Sequence, residues 1–138
     1  MNFELVTLKE FTVGEPTAAE APAFNQKYAT VFEDDGQTAY FYALNMENKE
    51  MPIADALHIY NLDNVTDKNI PSKVQIVWAK DNSVSILYIN GYTHAVYNFD
   101  EEYGFCRNNF PPPAQNGGWS VNGHEWDQKY FEKLVSES

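Results

Sequence analysis

The stretch KVQIVWAKDNSVSILYINGYTHAVYNF, residues 73–99, constrains the fold more than any other part of the chain. Three runs of β-branched and aromatic residues are separated by Asp81-Asn82 and Asn90-Gly91. Asn-Gly between apolar runs is a strong hairpin signal, because both central residues of a type I′ turn need positive φ. Two such turns fix the register of three antiparallel strands: Ala79 should face Val84, and Ile89 should face Tyr92. Strict alternation then puts Val74, Ile76, Trp78, Leu87, Ile89, Tyr92, His94 and Val96 on one face. The other face receives Val77, Ala79, Val84, Ile86, Tyr88, Ala95 and Tyr97, with Gln75 and Thr93. An antiparallel sheet with a wet face shows polar residues there. Neither face is polar enough here, so the meander should be covered on both sides: by other strands, by a helix or by another chain.

The flanking segments supply candidates for that cover. FELVTLKEFTV (3–13) has strand composition, and GEPTAAEAPAF (14–24) reads as a loop or short surface helix, broken by glycine and two prolines. YATVFEDDGQTAYFYAL (28–44) reads as a hairpin turning on Asp35-Gly36 in type I′ geometry. ADALHIYNL (54–62) is a further strand, and 63–72 a loop ended by Pro71. Beyond the acidic turn Asp100-Glu101-Glu102, Phe105 to Arg107 should continue the meander. FPPPAQNGGWS (110–120) cannot be a central strand, because proline donates no ladder hydrogen bond. It fits an extended polyproline segment covering a sheet edge. In VNGHEWDQKYFEKLVSES, Asn122 and Glu125 have capping-box spacing. Trp126, Tyr130 and Leu134 then recur at helical spacing, widened by Phe131 and Val135. The expected fold is α+β: an antiparallel β-meander sheet of about six or seven strands with a C-terminal helix packed on it.

Composition narrows the function. A chain of 138 residues fits a single domain, 1–138, and 43% hydrophobic residues can build its core without staples. Twenty acids against nine bases give a net charge of −11. Without clustered Lys and Arg there is no electrostatic basis for binding nucleic acid or an anionic membrane surface. A protein partner with a basic surface would be attracted, and faster at low salt. The single cysteine, Cys106, excludes an intrachain disulfide. The start, MNFELVTLKEF, has no charged-then-apolar leader, and no apolar run approaches the ~20 residues of a membrane span. The expected location is cytoplasmic.

Several groups invite chemistry. The histidines His58, His94 and His124 lack the spacings of zinc ligands, and HEWDQ has glutamine where HExxH needs its second histidine. No metal and no cofactor is expected. Cys106 could be a nucleophile if His94 or His58 activated it with Arg107 nearby, but neighbouring strand residues point to opposite faces. A lone strand cysteine is ordinarily a small buried hydrophobe. The acidic triplets Glu33-Asp34-Asp35 and Asp100-Glu101-Glu102 lie at turns and are candidate carboxylate rims for a basic partner. Tyr40, Tyr42, Tyr88 and Tyr97 sit on strand faces, where tyrosine serves cores and interfaces alike. Tyr88 and Tyr97 join the two triplets as candidate binding residues.

The motifs VFEDDGQTAYFYAL, DALHIYN, HAVYNF and GFCRNNFPP, with the HEWD helix, resemble a family of small bacterial hypothetical proteins known as a domain of unknown function. The resemblance covers the chain from about Tyr28 onward and implies a bacterial source and one α+β domain. It carries no activity and no catalytic residue. In size and charge the chain is also similar to immunity proteins that neutralise toxin domains. The expectation is a non-enzymatic acidic binding module of the immunity type, neutralising a basic toxin domain, without an assembled catalytic set. The alternatives are a small enzyme using Cys106, His94 and Arg107 in a cleft beside the prolines, and a homo-oligomer joined through its second sheet face.

Overall fold

A computed structural model describes residues 2–64, 71–108, 119–120 and 123–136. Among the described residues, nine strands form two antiparallel sheets, and one helix follows them. The first sheet has the order β1 (Phe3–Thr12), β6 (Pro71–Ala79), β7 (Val84–Ile89), β8 (Tyr92–Asn98), β9 (Tyr103–Cys106). The second has the order β2 (Thr17–Pro22), β3 (Tyr28–Asp34), β4 (Thr38–Asn45), β5 (Ile53–Asn61). The helix α1 spans Gln128–Ser136. The α+β expectation holds, with more strands than foreseen and with two stacked sheets in place of one.

The extra strand is β2, in the segment read as a loop. Its apolar residues are alanines, so it lacks the bulky β-branched signature. It is strand all the same because Ala19 and Ala21 alternate inward against β3. At this corner β1 also serves the exposed edge of β2: Thr7 Oγ1 donates to the Glu20 carbonyl at 2.7 Å and Lys9 Nζ to the Ala18 carbonyl at 3.0 Å. These side chains occupy carbonyls that an edge strand would otherwise offer to another chain. The β3–β4 turn is centred one residue later than expected. Asp35 N–H donates to the Thr38 carbonyl at 3.1 Å, and of the two residues between them only Gly36 has positive φ. That is the type II′ requirement, met by glycine at the first central position.

The meander register is observed as expected at both turns, with Trp78 opposite Ser85 and Ile89 opposite Tyr92. It then slips. Tyr88 pairs with Thr93, but Leu87 pairs with Ala95, so His94 is the extra residue of a β-bulge. One inserted residue exchanges the faces of everything beyond it. Ala95 and Tyr97 therefore join Val74, Ile76, Trp78 and Leu87 in the core between the sheets. Val96 instead joins Ile86 and Phe105 on the outer face.

Both faces are covered from within the chain. Between the sheets, Trp78 and Tyr97 are fully buried and reach across: the Trp78 indole donates to the Ala21 carbonyl at 2.8 Å, and the Tyr97 hydroxyl to the Phe41 carbonyl at 2.6 Å. Burying a large apolar side chain of this kind contributes on the order of 2–3 kcal/mol, and the bonded tips remove the penalty of a dry polar atom. On the outer face Leu134 of α1, with Trp126, Tyr130 and Phe131, packs on Val96, Ile86 and Phe105. Val135, expected in the same stripe, is 39% exposed. Asn122 lies outside the described residues. The helix cap is Asp127, whose Oδ1 accepts the Tyr130 N–H at 3.0 Å while its carbonyl takes the Phe131 N–H.

The outer edge of β9 is also closed. Ser120 Oγ accepts the Gly104 N–H at 2.8 Å, the His124 carbonyl accepts the Cys106 N–H at 3.1 Å, and Cys106 and Glu125 form a parallel bridge. The cover thus comes from Ser120, His124 and Glu125; the prolines expected to supply it, Pro111, Pro112 and Pro113, lie outside the described residues.

Candidate functional site

Closing the β9 edge leaves a cleft between the β8–β9 turn and the start of α1. The turn is set by Asn98, whose Oδ1 accepts the N–H groups of Asp100 at 3.0 Å and Glu101 at 3.1 Å. This local closure lifts Glu101 and Glu102 to one rim. The opposite rim is Glu125, Trp126, Asp127 and the first turn of α1, and Tyr103 and Tyr130 lie between. The cleft encloses about 670 Å³. Four carboxylates line it, from Glu101, Glu102, Glu125 and Asp127, against one ammonium, from Lys129.

Its walls are aromatic and locked. Tyr103 and Tyr130 meet edge to face at 5.6 Å, and Trp126 meets Phe105 at 5.0 Å and Phe131 at 5.4 Å. Asn98 Nδ2 donates to the Tyr130 hydroxyl at 2.9 Å, and the Trp126 indole donates to Gln128 Oε1 at 2.9 Å. Burial pushes the Tyr103 hydroxyl pKa up, and the charges of Asp127 and Glu125 push it further. Burial likewise raises that of Tyr130; its hydrogen bond from Asn98 opposes the shift, and Glu101 and Asp127 add to it. Acids of both rims thus act on the Tyr130 hydroxyl, and the negative potential converges inside the cleft.

Below it lies a buried polar cluster. His124 Nε2 contacts both oxygens of Asp55, at 3.0 and 2.9 Å, and Ser120 Oγ donates to Asp55 Oδ2 at 2.7 Å. An Asp, a His and a Ser are brought together, but the carboxylate stands in the middle and takes both neighbours. In a Ser-His-Asp nucleophile the imidazole stands between and draws the proton from the hydroxyl. The cluster therefore works as a clamp, joining β5 of one sheet to the segment that closes β9 of the other.

The residues singled out from the sequence fall into three groups. Asp34 is 1% exposed; its carboxylate accepts the Tyr60 hydroxyl at 2.5 Å, the Gly14 N–H at 2.9 Å and the Gly36 N–H at 2.8 Å. Asp35 Oδ1 accepts the N–H groups of Gln37 and Thr38, which hold its pKa down. Glu33 is exposed beside them. Tyr97 is buried in the inter-sheet core, and Tyr88 is half-buried on the outer face. Asp100 is exposed in the turn, and Glu101 and Glu102 alone of these candidates line the cleft.

Cys106, His94 and Arg107 are not assembled as a catalytic set. Cys106 is fully buried in the inter-sheet core, and its Sγ donates to Asn108 Oδ1 at 3.3 Å. Asn108 Nδ2 donates in turn to His58 Nδ1, and His58 Nε2 to Asn61 Oδ1 at 2.9 Å. These polarities assign the thiol as donor, with an amide between it and the imidazole. An amide is no general base, so this chain of bonds gives the thiol no base to activate it. His94, half-buried in the bulge, has its pKa pushed down to about 4 by burial and by the charge of Arg107. Arg107 itself lies over the Trp126 and Tyr92 rings. Among the described residues, no group of three His, Cys, Asp or Glu side chains is placed to hold a metal ion, and no helix is long and apolar enough to cross a membrane.

Residues 11–135 match the family described as "Uncharacterized protein conserved in bacteria (DUF2251)". The chain belongs to that family. An uncharacterized protein of Haemophilus influenzae is 41% identical over 95 residues, which make up 69% of this chain and 59% of that protein. The aligned part is therefore about three fifths of that relative's length. No solved structure matches. The resemblance to a bacterial domain of unknown function read from the sequence is thus the family itself, and function must be argued from geometry. Glu125, Trp126 and Asp127 were legible only as parts of a helix start. The one local signal was the density of acids around one tryptophan in HEWD, which marks an acidic surface but not what it faces.

Proposed function

We propose that the protein is a non-enzymatic binding module whose acidic, aromatic cleft receives a basic segment of a partner protein, in the manner of an immunity-type protein covering a basic toxin domain. One observation supports this reading above the rest: carboxylates from separate segments of the chain converge on a cleft walled by tyrosine and tryptophan. The acids surround a volume suited to side chains and are too dispersed to share one metal ion. Aromatic faces add cation–π attraction for an ammonium or guanidinium, worth about 0.5–2 kcal/mol each. The net charge of −11 steers such a partner from a distance. The enzyme alternative has less support, since the thiol is buried behind an amide.

Calorimetry against a lysine-rich peptide and against a toxin domain encoded beside the gene tests the proposal. Binding that weakens steeply with salt, and is lost when Glu101, Glu102 and Glu125 become glutamine and Asp127 becomes asparagine, is expected. Absence of any complex at micromolar concentration and low salt would remove the reading.

A further inference from the structure

Arg107 is the only arginine in the chain. Its guanidinium carbon lies 3.7 Å from the centroid of the Trp126 ring and 4.7 Å from that of Tyr92. Its Nε donates to the Thr93 carbonyl at 3.0 Å, and its backbone N–H to the His94 carbonyl at 3.2 Å. Two rings and one side-chain hydrogen bond therefore fix the plane of the fork. Its remaining N–H groups meet no carboxylate at ion-pair distance: among the described residues the ion pairs are Lys80–Glu4 and His124–Asp55. In a chain with 20 acids this is unexpected, because a guanidinium held in place ordinarily carries a carboxylate on its edge. The side chain is exposed, so the fork is accessible.

A planar fork pre-set by stacking matches a planar two-oxygen anion bidentately. The adjacent His94 adds no charge at neutral pH, so the position offers one positive charge. A single charge in a field of net −11 suits a monoanion, and a phosphate dianion would be repelled more strongly. Trp126 belongs both to this position and to the wall of the acidic cleft. We infer that Arg107 is a receptor for a carboxylate, and that the ligand of this surface is dipolar, placing a cationic group in the cleft and a carboxylate on Arg107. The second half rests on the cleft reading above; the first half stands without it.

The test is NMR of the Arg107 Nε–H and Trp126 indole signals in the full chain. The probes are sodium acetate, inorganic phosphate, N-acetyl-lysinamide, and a series of peptides carrying one lysine and one glutamate at increasing glycine spacings. Acetate is expected to shift the Arg107 signal saturably, beyond a sodium chloride control and beyond phosphate. In Arg107→Lys, which keeps the charge and loses the fork, the acetate response of the indole should fall roughly tenfold in affinity. Tyr92→Ala, at an exposed ring, should weaken it less. At one spacing the two-charge peptide should bind roughly tenfold tighter than the same peptide with glutamine for glutamate, and this gain should vanish in Arg107→Lys. No saturable acetate shift, stronger binding of phosphate, or an undiminished response in Arg107→Lys overturns the carboxylate receptor. A response to acetate with none to N-acetyl-lysinamide upholds the receptor and sinks the cleft reading. The reverse pattern sinks the receptor and leaves the cleft. Equal binding of the glutamate and glutamine peptides at every spacing overturns the dipolar ligand.

Discussion

Two acidic triplets at two β-turns look alike in the sequence, and the fold uses them in opposite ways. In Glu33-Asp34-Asp35 the central carboxylate is buried and takes three protein donors, from Gly14, Gly36 and Tyr60, while Asp35 closes its own turn. In Asp100-Glu101-Glu102 the turn is closed instead by Asn98, one residue before Phe99, and this leaves the triplet free of that task. The difference is one of position in the strand pairing. Asp34 is the last paired residue of β3, pointing inward where the chain crosses from β1 to β2. Glu101 and Glu102 lie beyond the last pair of their hairpin, Asn98 with Tyr103. A carboxylate inside the ladder becomes structure; one outside it is available to a partner.

The largest expected effect lies on the buried side. Asp34→Ala strips the acceptor from two backbone N–H groups and a tyrosine hydroxyl, and should lower unfolding free energy by about 3 kcal/mol or more. Asp34→Asn should cost less, because its amide oxygen still accepts while its NH₂ opposes a backbone N–H. Urea denaturation of both variants measures the difference. If Asp34→Ala unfolds like the parent, the first triplet is not structural and the contrast collapses.

Next in size is the floor beneath the open triplet. A Cβ on Gly104 would lie 2.5 Å from two ring atoms of Tyr97, which is fully buried and bonded to the Phe41 carbonyl. Gly104→Ala should cost about 1–3 kcal/mol, as overpacking of a rigid core does, and should also loosen the Ser120 contact that closes the β9 edge. Proteolysis near residue 120, accelerated beside an unchanged rate at the first hairpin, would show that the two regions fail separately.

These sites also show what the sequence carried. The meander, its two turns and the covering helix followed from Asn-Gly spacing and from two apolar faces, both local signals. The bulge at His94 did not, because an inserted residue leaves alternation intact on each side and is set by what the strand must meet beyond it. β2 was missed because alanine is small enough to lie under Phe32 and Phe41 and carries no strand preference of its own. The cleft was half legible: Glu101 and Glu102 were marked as an acidic turn. Nothing local could say that Glu125 and Asp127 would face them, since that pairing depends on where α1 docks. Likewise the third and fourth members of the Cys106–Asn108–His58–Asn61 chain come from β5, distant in sequence.

A smaller effect is expected in acid. His94 titrates in the fold at about 4, against 6.5 for an ordinary imidazole, because burial and then Arg107 disfavour its charged form. The unfolded chain therefore binds the proton first as pH falls. The contribution to stability is complete above about pH 6.5, declines between 6.5 and 4, and is lost below. With the side chain only half-buried, screening reduces the loss to about 1–2 kcal/mol. Denaturation midpoints for the parent and for His94→Gln across this range should converge as pH falls. Parallel curves would mean that the histidine beside Arg107 takes up its proton as readily in the fold as in the unfolded chain.

The smallest expected effect on stability decides the most about the comparison. Glu101→Gln and Glu102→Gln remove charges that have solvent on one side and no hydrogen-bonding duty in the turn, whose closure belongs to Asn98. Each should change unfolding free energy by under about 0.5 kcal/mol, and relief of repulsion with Glu125 and Asp127 gives the change a stabilising sign. The Tyr103 and Tyr130 hydroxyls supply an internal gauge. Glu101 raises the Tyr130 pKa through space, so Glu101→Gln should let that hydroxyl ionise at lower pH while Tyr103, raised by burial and then by Asp127 and Glu125, moves less. Ultraviolet titration of the two tyrosines reads this directly. A marked loss of stability on either substitution would make the second triplet as structural as the first, and a cleft built from structural carboxylates would have no charge to spare for a partner.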